Sequence, residues 1–187
     1  SDVRKDLFGL ELRIDDRNDL FSPDRGGLYV LEGTAGRRTN LDQSGTQYRL
    51  QGEADVFLHL WGRHILRTRA QGAALIGDDL VENELFRIGG RNDLRGFPEQ
   101  SLFSSHFAIG TLEYRYRLES ATYLQLFGDG AWRQAITGDG NAFYGVGGGI
   151  SLLLQRAFIQ IDIAVPNSGQ GFDFRSAVLH LGYAGRF

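Results

Sequence analysis

From Tyr48 to Leu60 the chain alternates without a break: Tyr48, Leu50, Gly52, Ala54, Val56, Leu58 and Leu60 fall on one face, Arg49, Gln51, Glu53, Asp55, Phe57 and His59 on the other. A period of two over thirteen residues describes a strand whose faces meet different environments. Its length is the constraint. Soluble strands run about 5 to 6 residues, whereas a tilted strand crossing a bilayer needs about 9 to 11.

The same pattern returns along the chain. After a short turn at Gly62-Arg63, the positions Leu66, Thr68, Ala70, Gly72 and Ala74 oppose Arg67, Arg69 and Gln71, which predicts a hairpin. Ala108, Gly110, Leu112, Tyr114, Tyr116 and Leu118 oppose Thr111, Glu113, Arg115 and Arg117; Leu124, Leu126, Gly128, Gly130 and Trp132 then oppose Gln125, Phe127, Asp129 and Arg133, with a turn near Glu119-Ser120. A third hairpin is expected from about Phe143 to Val165 and a last strand from about 175 to 187, where Leu179, Leu181 and Tyr183 lie opposite His180, Gly182, Ala184 and Arg186, and the chain stops on Phe187. An aromatic ending on such a strand points to the bacterial outer membrane. With 27–37 added, eight strands are expected. Residues 1–26 are expected to form an amino-terminal periplasmic segment or a partial ninth strand, where Phe8, Leu10, Leu12 and Ile14 oppose Glu11, Arg13 and Asp15.

The fold expected is therefore all-β, a transmembrane antiparallel up-and-down barrel over 27–187. Composition agrees. No stretch approaches 18 apolar residues, so a spanning helix is excluded, and a mean hydropathy of -0.25 fits a membrane protein whose strands alternate. Without cysteine there is no disulfide framework or thiolate metal site, and a net charge of -3 with dispersed basic residues argues against nucleic acid. The chain begins without Met or a charged-then-apolar leader, the expectation for a processed or truncated form. Connections are expected to be short at 61–64, 119–121 and 155–157 and longer, facing outward, at 38–46, 77–104, 134–142 and 166–174.

The longest connection, 77–104, contains Phe86-Arg87-Ile88-Gly89-Gly90-Arg91-Asn92-Asp93-Leu94-Arg95-Gly96-Phe97. Its paired glycines followed by Arg-Gly-Phe resemble the signature loop of the BamA, TamA and two-partner-secretion transporter superfamily, outer-membrane barrels that insert or translocate proteins. Leu126-Phe127-Gly128-Asp129-Gly130 is similar to that family's aromatic-x-Asp-x-Gly strand, and Asp15-Asp16-Arg17-Asn18-Asp19 through Pro23 and Gly26 to its recurrent turn. Gly147-Gly148-Gly149 and Ile161-Asp162-Ile163-Ala164-Val165-Pro166 also resemble family strands. The likeness covers practically the whole chain, which corresponds to the carboxy-terminal half of a usual sixteen-stranded barrel without periplasmic repeats ahead of it.

The resemblance implies that Arg95 reaches into the barrel and pairs with Asp129, in the strand of Phe127 and Gly130, while Gly96 permits close backbone approach and Phe97 packs on the wall. A guanidinium fork suits a desolvated carboxylate. It further implies an integral outer-membrane protein in contact with lipids and lipopolysaccharide, a terminal strand (Leu179, Leu181, Tyr183, Phe187) recognised by the barrel assembly machinery, and a role in protein assembly or translocation, alone or as a homo-oligomer whose strands complete a larger wall. A purely structural or anchoring barrel is the alternative.

Glu53, Asp55, Arg67, Arg69, Glu113, Arg115, Arg117 and Asp162 all fall on inward faces. Because a small barrel is just wide enough for side chains to fill, interleaved charges of both signs predict a salt-bridged core rather than a channel. A lipid-modifying enzyme is the third reading, with His106 beside Ser104 and Ser105, but adjacency in sequence supplies neither hydrogen-bond geometry nor an orienting acid. His59, His64 and His180 lack metal-ligand spacing, and Gly145 to Gly149 sits within a strand with no helix after it. Neither catalysis, nor a metal, nor a cofactor is expected.

Overall fold

Alternation on this scale yields one continuous antiparallel sheet. The computed structural model describes residues 3–40, 43–78, 80–119, 121–136, 139–154, 157–167, 169 and 171–185. Eleven strands follow in order: β1 (Val3–Asp15), β2 (Gly26–Asn40), β3 (Gln43–Trp61), β4 (His64–Gly77), β5 (Phe86–Ile88), β6 (Leu102–Ser104), β7 (His106–Glu119), β8 (Thr122–Gln134), β9 (Asn141–Leu154), β10 (Ala157–Asn167) and β11 (Val178–Gly185). Nine of them form the main sheet in the order β1-β2-β3-β4-β7-β8-β9-β10-β11, and β5 pairs with β6 inside the long loop. No described helix is long and apolar enough to cross a membrane.

The register carries the face assignments. Leu31, Gly52, Gly72, Ala108 and Trp132 pair in one row across five strands, and Val30, Glu53, Gln71, Ile109 and Ala131 in the next. The first row faces outward, as do the exposed Leu10, Leu50, Leu112, Leu126, Ile163, Leu179, Leu181 and Tyr183. The second faces a concave interior. Apolar packing there is local: Ile88 and Leu94 of the loop meet Ile109 and Ala131, while Leu85 and Phe86 meet Leu75.

Three expectations are corrected. The main sheet has nine strands, not eight, because β1 is a complete strand in register with β2 from Val3↔Asn40 to Asp15↔Leu28. Residues 38–46 are not a long loop: the backbone ladder of β2 and β3 continues to Asn40↔Gln43, because strand pairing is made by main-chain groups and does not require apolar side chains. The sheet does not close on itself among the described residues. With every neighbour antiparallel, the first and ninth strands run in the same direction, so pairing β1 with β11 would require a parallel seam. The tips at Ser120 and at 155–156, together with Arg186 and Phe187, lie outside the described residues.

Candidate functional site

The site is the loop 78–105 where it crosses the concave face. Gly89 and Gly90 both have positive φ, and the turn they open closes with Asp93 N–H donating to Gly90 O and Gly90 N–H to Leu94 O. Glycine adopts that conformation without a Cβ penalty. The turn drops Leu94 into a fully buried position and aims Arg95 at the wall.

Arg95 is buried and grips Asp129 with a complete fork: Nε donates to Oδ2 at 2.8 Å, Nη2 to Oδ1 at 2.8 Å, and the backbone N–H adds a third bond to Oδ2 at 3.1 Å. Its Nη1 donates to Glu113 Oε2 at 2.6 Å, and the guanidinium lies 3.4 Å from the centroid of the Phe127 ring. Gly96 also has positive φ, and its N–H donates to His180 Nε2 at 3.1 Å. Gly145 of β9 leaves room for the Arg95 carbonyl, since a Cβ there would stand 1.9 Å from that oxygen. Phe97 meets Phe143 edge-on at 5.5 Å. Gly130 is not a loop partner: alternation puts it on the outward face, beside the Tyr144 ring.

Glu113 is the centre of the charge network. It has no solvent exposure and receives Arg95, Arg115 through Nε at 2.7 Å, and Arg67 at 3.6 Å; Arg67 in turn forks onto Asp55 at 2.8 and 2.9 Å. A chain Asp55–Arg67–Glu113–Arg95–Asp129 thus runs from β3 to β8, three carboxylates balanced by Arg67, Arg95 and Arg115. Such groups tolerate burial only when every charge is paired and hydrogen-bonded. Arg69 pairs with Glu53 at 2.8 Å and also donates to the Asn92 carbonyl, while Gln71 donates to Asp93 at 3.1 Å, so β4 holds the loop tip from the opposite side.

Two predicted members of the network bond elsewhere. Asp162 accepts from the amides of Gln125 and Gln160, with no guanidinium partner among the described residues. Arg117 leaves the wall for Asp24, at 2.9 Å, in the turn 16–25. That turn is built on Asn18 Oδ1, which accepts from the N–H groups of Asp24 and Arg25, and on Asp19 Oδ1, which accepts from Phe21 and Ser22. Burial opposes ionisation of Asp24, but hydrogen bonds from Arg117 and Arg25 outweigh it and hold the carboxyl below its usual range. Between the turn and the loop tip lies a polar chamber of about 180 Å³, bordered by Arg17, Phe21, Arg67, Arg91, Asp93 and Arg115.

The hydroxyls beside His106 are engaged with the backbone. Ser104 Oγ donates to His106 O and Gln134 O, and Ser105 Oγ to Gln134 O and Ala135 O. His106 Nδ1 is 3.1 Å from Ser105 Oγ, and no carboxylate orients the ring among the described residues. No group of three or more acidic, His or Cys side chains is placed to hold a metal among those residues either.

Asp24 and His180 are the site residues that sequence reasoning missed, whereas Glu113 was placed in the inward charge network without its central role. Alternation marked Glu113 and His180 as inward, but neither the convergence on Glu113 nor the bond from Gly96 is visible without register.

No curated protein matches the chain. A family model described as the Omp85 superfamily domain matches residues 4–187. The match covers the whole sheet and the loop whose arginine sits between Asp129 and Glu113, and the chain belongs to the Omp85 superfamily.

Proposed function

We propose that this chain forms wall and plug of an integral outer-membrane β-barrel that handles other polypeptides, in assembly or translocation, and that Arg95 locks the loop in the lumen. The observation that carries this reading is the buried Arg95 fork on Asp129 and Glu113, in a chain of this superfamily. A loop that served only as a surface cap would have no need of a desolvated guanidinium shared by two strands. The occupied interior, with its chamber of about 180 Å³, supports a plugged lumen over an open pore. Backbone-engaged hydroxyls at Ser104 and Ser105 support a non-catalytic role.

The edges say where a polypeptide would join. An unpaired strand edge in lipid leaves backbone groups without partners, at several kcal/mol each. β1 and β11 run in the same direction, so each takes an antiparallel neighbour only from a strand running the other way. A second copy in the same membrane orientation offers parallel strands at both edges, which disfavours a homo-oligomeric wall. Strands of opposite sense, from a longer barrel or from a client, fit both.

The test is reconstitution into liposomes with an unfolded client barrel. The wild-type chain should accelerate client insertion, and Arg95→Ala should abolish the acceleration while the protein remains membrane-integrated. Insertion indifferent to both would leave the anchoring alternative in place.

A further inference from the structure

We propose that His180 latches the loop 78–105 to β11, steadying that edge of the described sheet through a hydrogen bond that only the neutral imidazole can accept. Gly96 donates its N–H to His180 Nε2 at 3.1 Å, and both residues are buried. A ring nitrogen that accepts carries no proton, so the neutral ring keeps its proton on Nδ1. Gly96 follows Arg95, whose backbone and guanidinium are both fixed on Asp129. The latch therefore runs from the most firmly held point of the loop to a strand whose described ladder is with β10 alone.

A second contact lies alongside. Arg91 donates to Gln160 of β10 at 3.2 Å, and its guanidinium covers Gly182 so closely that a Cβ there would approach Cζ to 2.6 Å. Gly182 and His180 share the inward face of β11, so the loop touches that strand at two consecutive inward positions. A strand held by one ladder opens locally at low cost, and contacts on its face raise that cost.

The latch is sensitive to protonation by its geometry. Asp162, directly opposite on β10, and Arg91, Arg95 and Glu99 of the loop are the charged groups facing the ring. Asp162 already accepts from Gln125 and Gln160, and Arg95 is held by Asp129 and Glu113. A protonated ring sets Nε2–H against Gly96 N–H, two donors with no acceptor between them. Acidification then frees β11 while leaving the Arg95 fork closed.

Hydrogen exchange of the full chain refolded in detergent micelles tests this, following a peptide over 178–185 with 107–117 of β7, laddered on both sides and outside the latch, as reference. At pH 7.5, His180→Ala should raise exchange of 178–185 by up to about tenfold, the worth of one hydrogen bond, with the reference unchanged. His180→Gln, whose amide oxygen can take the Gly96 N–H, should restore protection. Wild type titrated downward from pH 7.5 to pH 4.5, corrected for intrinsic exchange, should reach the same rise and the Gln variant none. Unchanged exchange in the Ala variant, an equal rise in both peptides, or a Gln variant as sensitive to pH as wild type would each overturn the proposal. If the Ala variant does not refold, the Gln and pH arms decide it.

Discussion

The two ends of the sheet carry the same alternating pattern and bury it very differently. On β7 to β11 the inward residues Glu113, Arg115, Asp129, Asp162 and His180 are buried beneath the loop. On β1 the inward Glu11, Arg13 and Asp15 all remain exposed, with Asp15 only partly screened by Arg17. An inward position therefore becomes an interior only where a second element covers it. The loop supplies that cover through charge, since one arginine enters with donors matched to two carboxylates, and the surrounding apolar clusters are small.

The sharpest way to break the comparison is to remove a charge from the covered end. Glu113→Gln leaves Arg67, Arg95 and Arg115 around a neutral group, and Arg95→Ala leaves Asp129 and Glu113 short of a partner. Each should cost about 3–5 kcal/mol, read from urea unfolding in micelles and from protease cleavage within 78–105. Arg95→Lys should recover only part of this, because an ammonium cannot reproduce the fork. Gly145→Ala comes next. Its methyl would occupy the place of the Arg95 carbonyl, 1.9 Å away, and displacing the loop backbone should cost about 1–3 kcal/mol.

Face assignments were legible in the sequence because strand alternation needs no partner to be seen. So was the Arg95–Asp129 pairing, through its likeness to a known loop and strand. The centrality of Glu113 was not: eight inward charges look alike until register sets Arg67 directly opposite Glu113 and the loop delivers Arg95. Residues 1–26 were underestimated for a related reason. Their worth lies in partners that the segment alone does not show, the neighbouring β2 for the strand and the distant Arg117 for the turn. Polarity also misled at 38–46, where backbone pairing continues through residues that composition marks as a loop.

The turn 16–25 offers a milder test. Asp24 is held ionised by Arg117 and Arg25, so its native pKa lies below the unfolded value near about 4. Its contribution is then complete above that value and is lost as pH falls through the native one. Proteolysis within 16–25 should increase below about pH 4, earlier than cleavage of the loop 78–105, and Asp24→Asn should show the same susceptibility at neutral pH. A turn equally resistant at pH 3 and pH 7 would remove Asp24 as its anchor.

The smallest effect is the most telling about the open half. Glu11 lies directly opposite Glu32 in the β1–β2 ladder, and like charges so placed repel. Water at the exposed β1 face screens them, so Glu11→Gln should change stability by less than about 0.5 kcal/mol, in the stabilising direction. The same chemical change at Glu113 is expected to cost several kcal/mol. Glu113 lies under the loop among Arg67, Arg95 and Arg115, whereas Glu11 faces water and Glu32, so a loss above about 1 kcal/mol at Glu11 would mean that this face, too, is covered in the membrane.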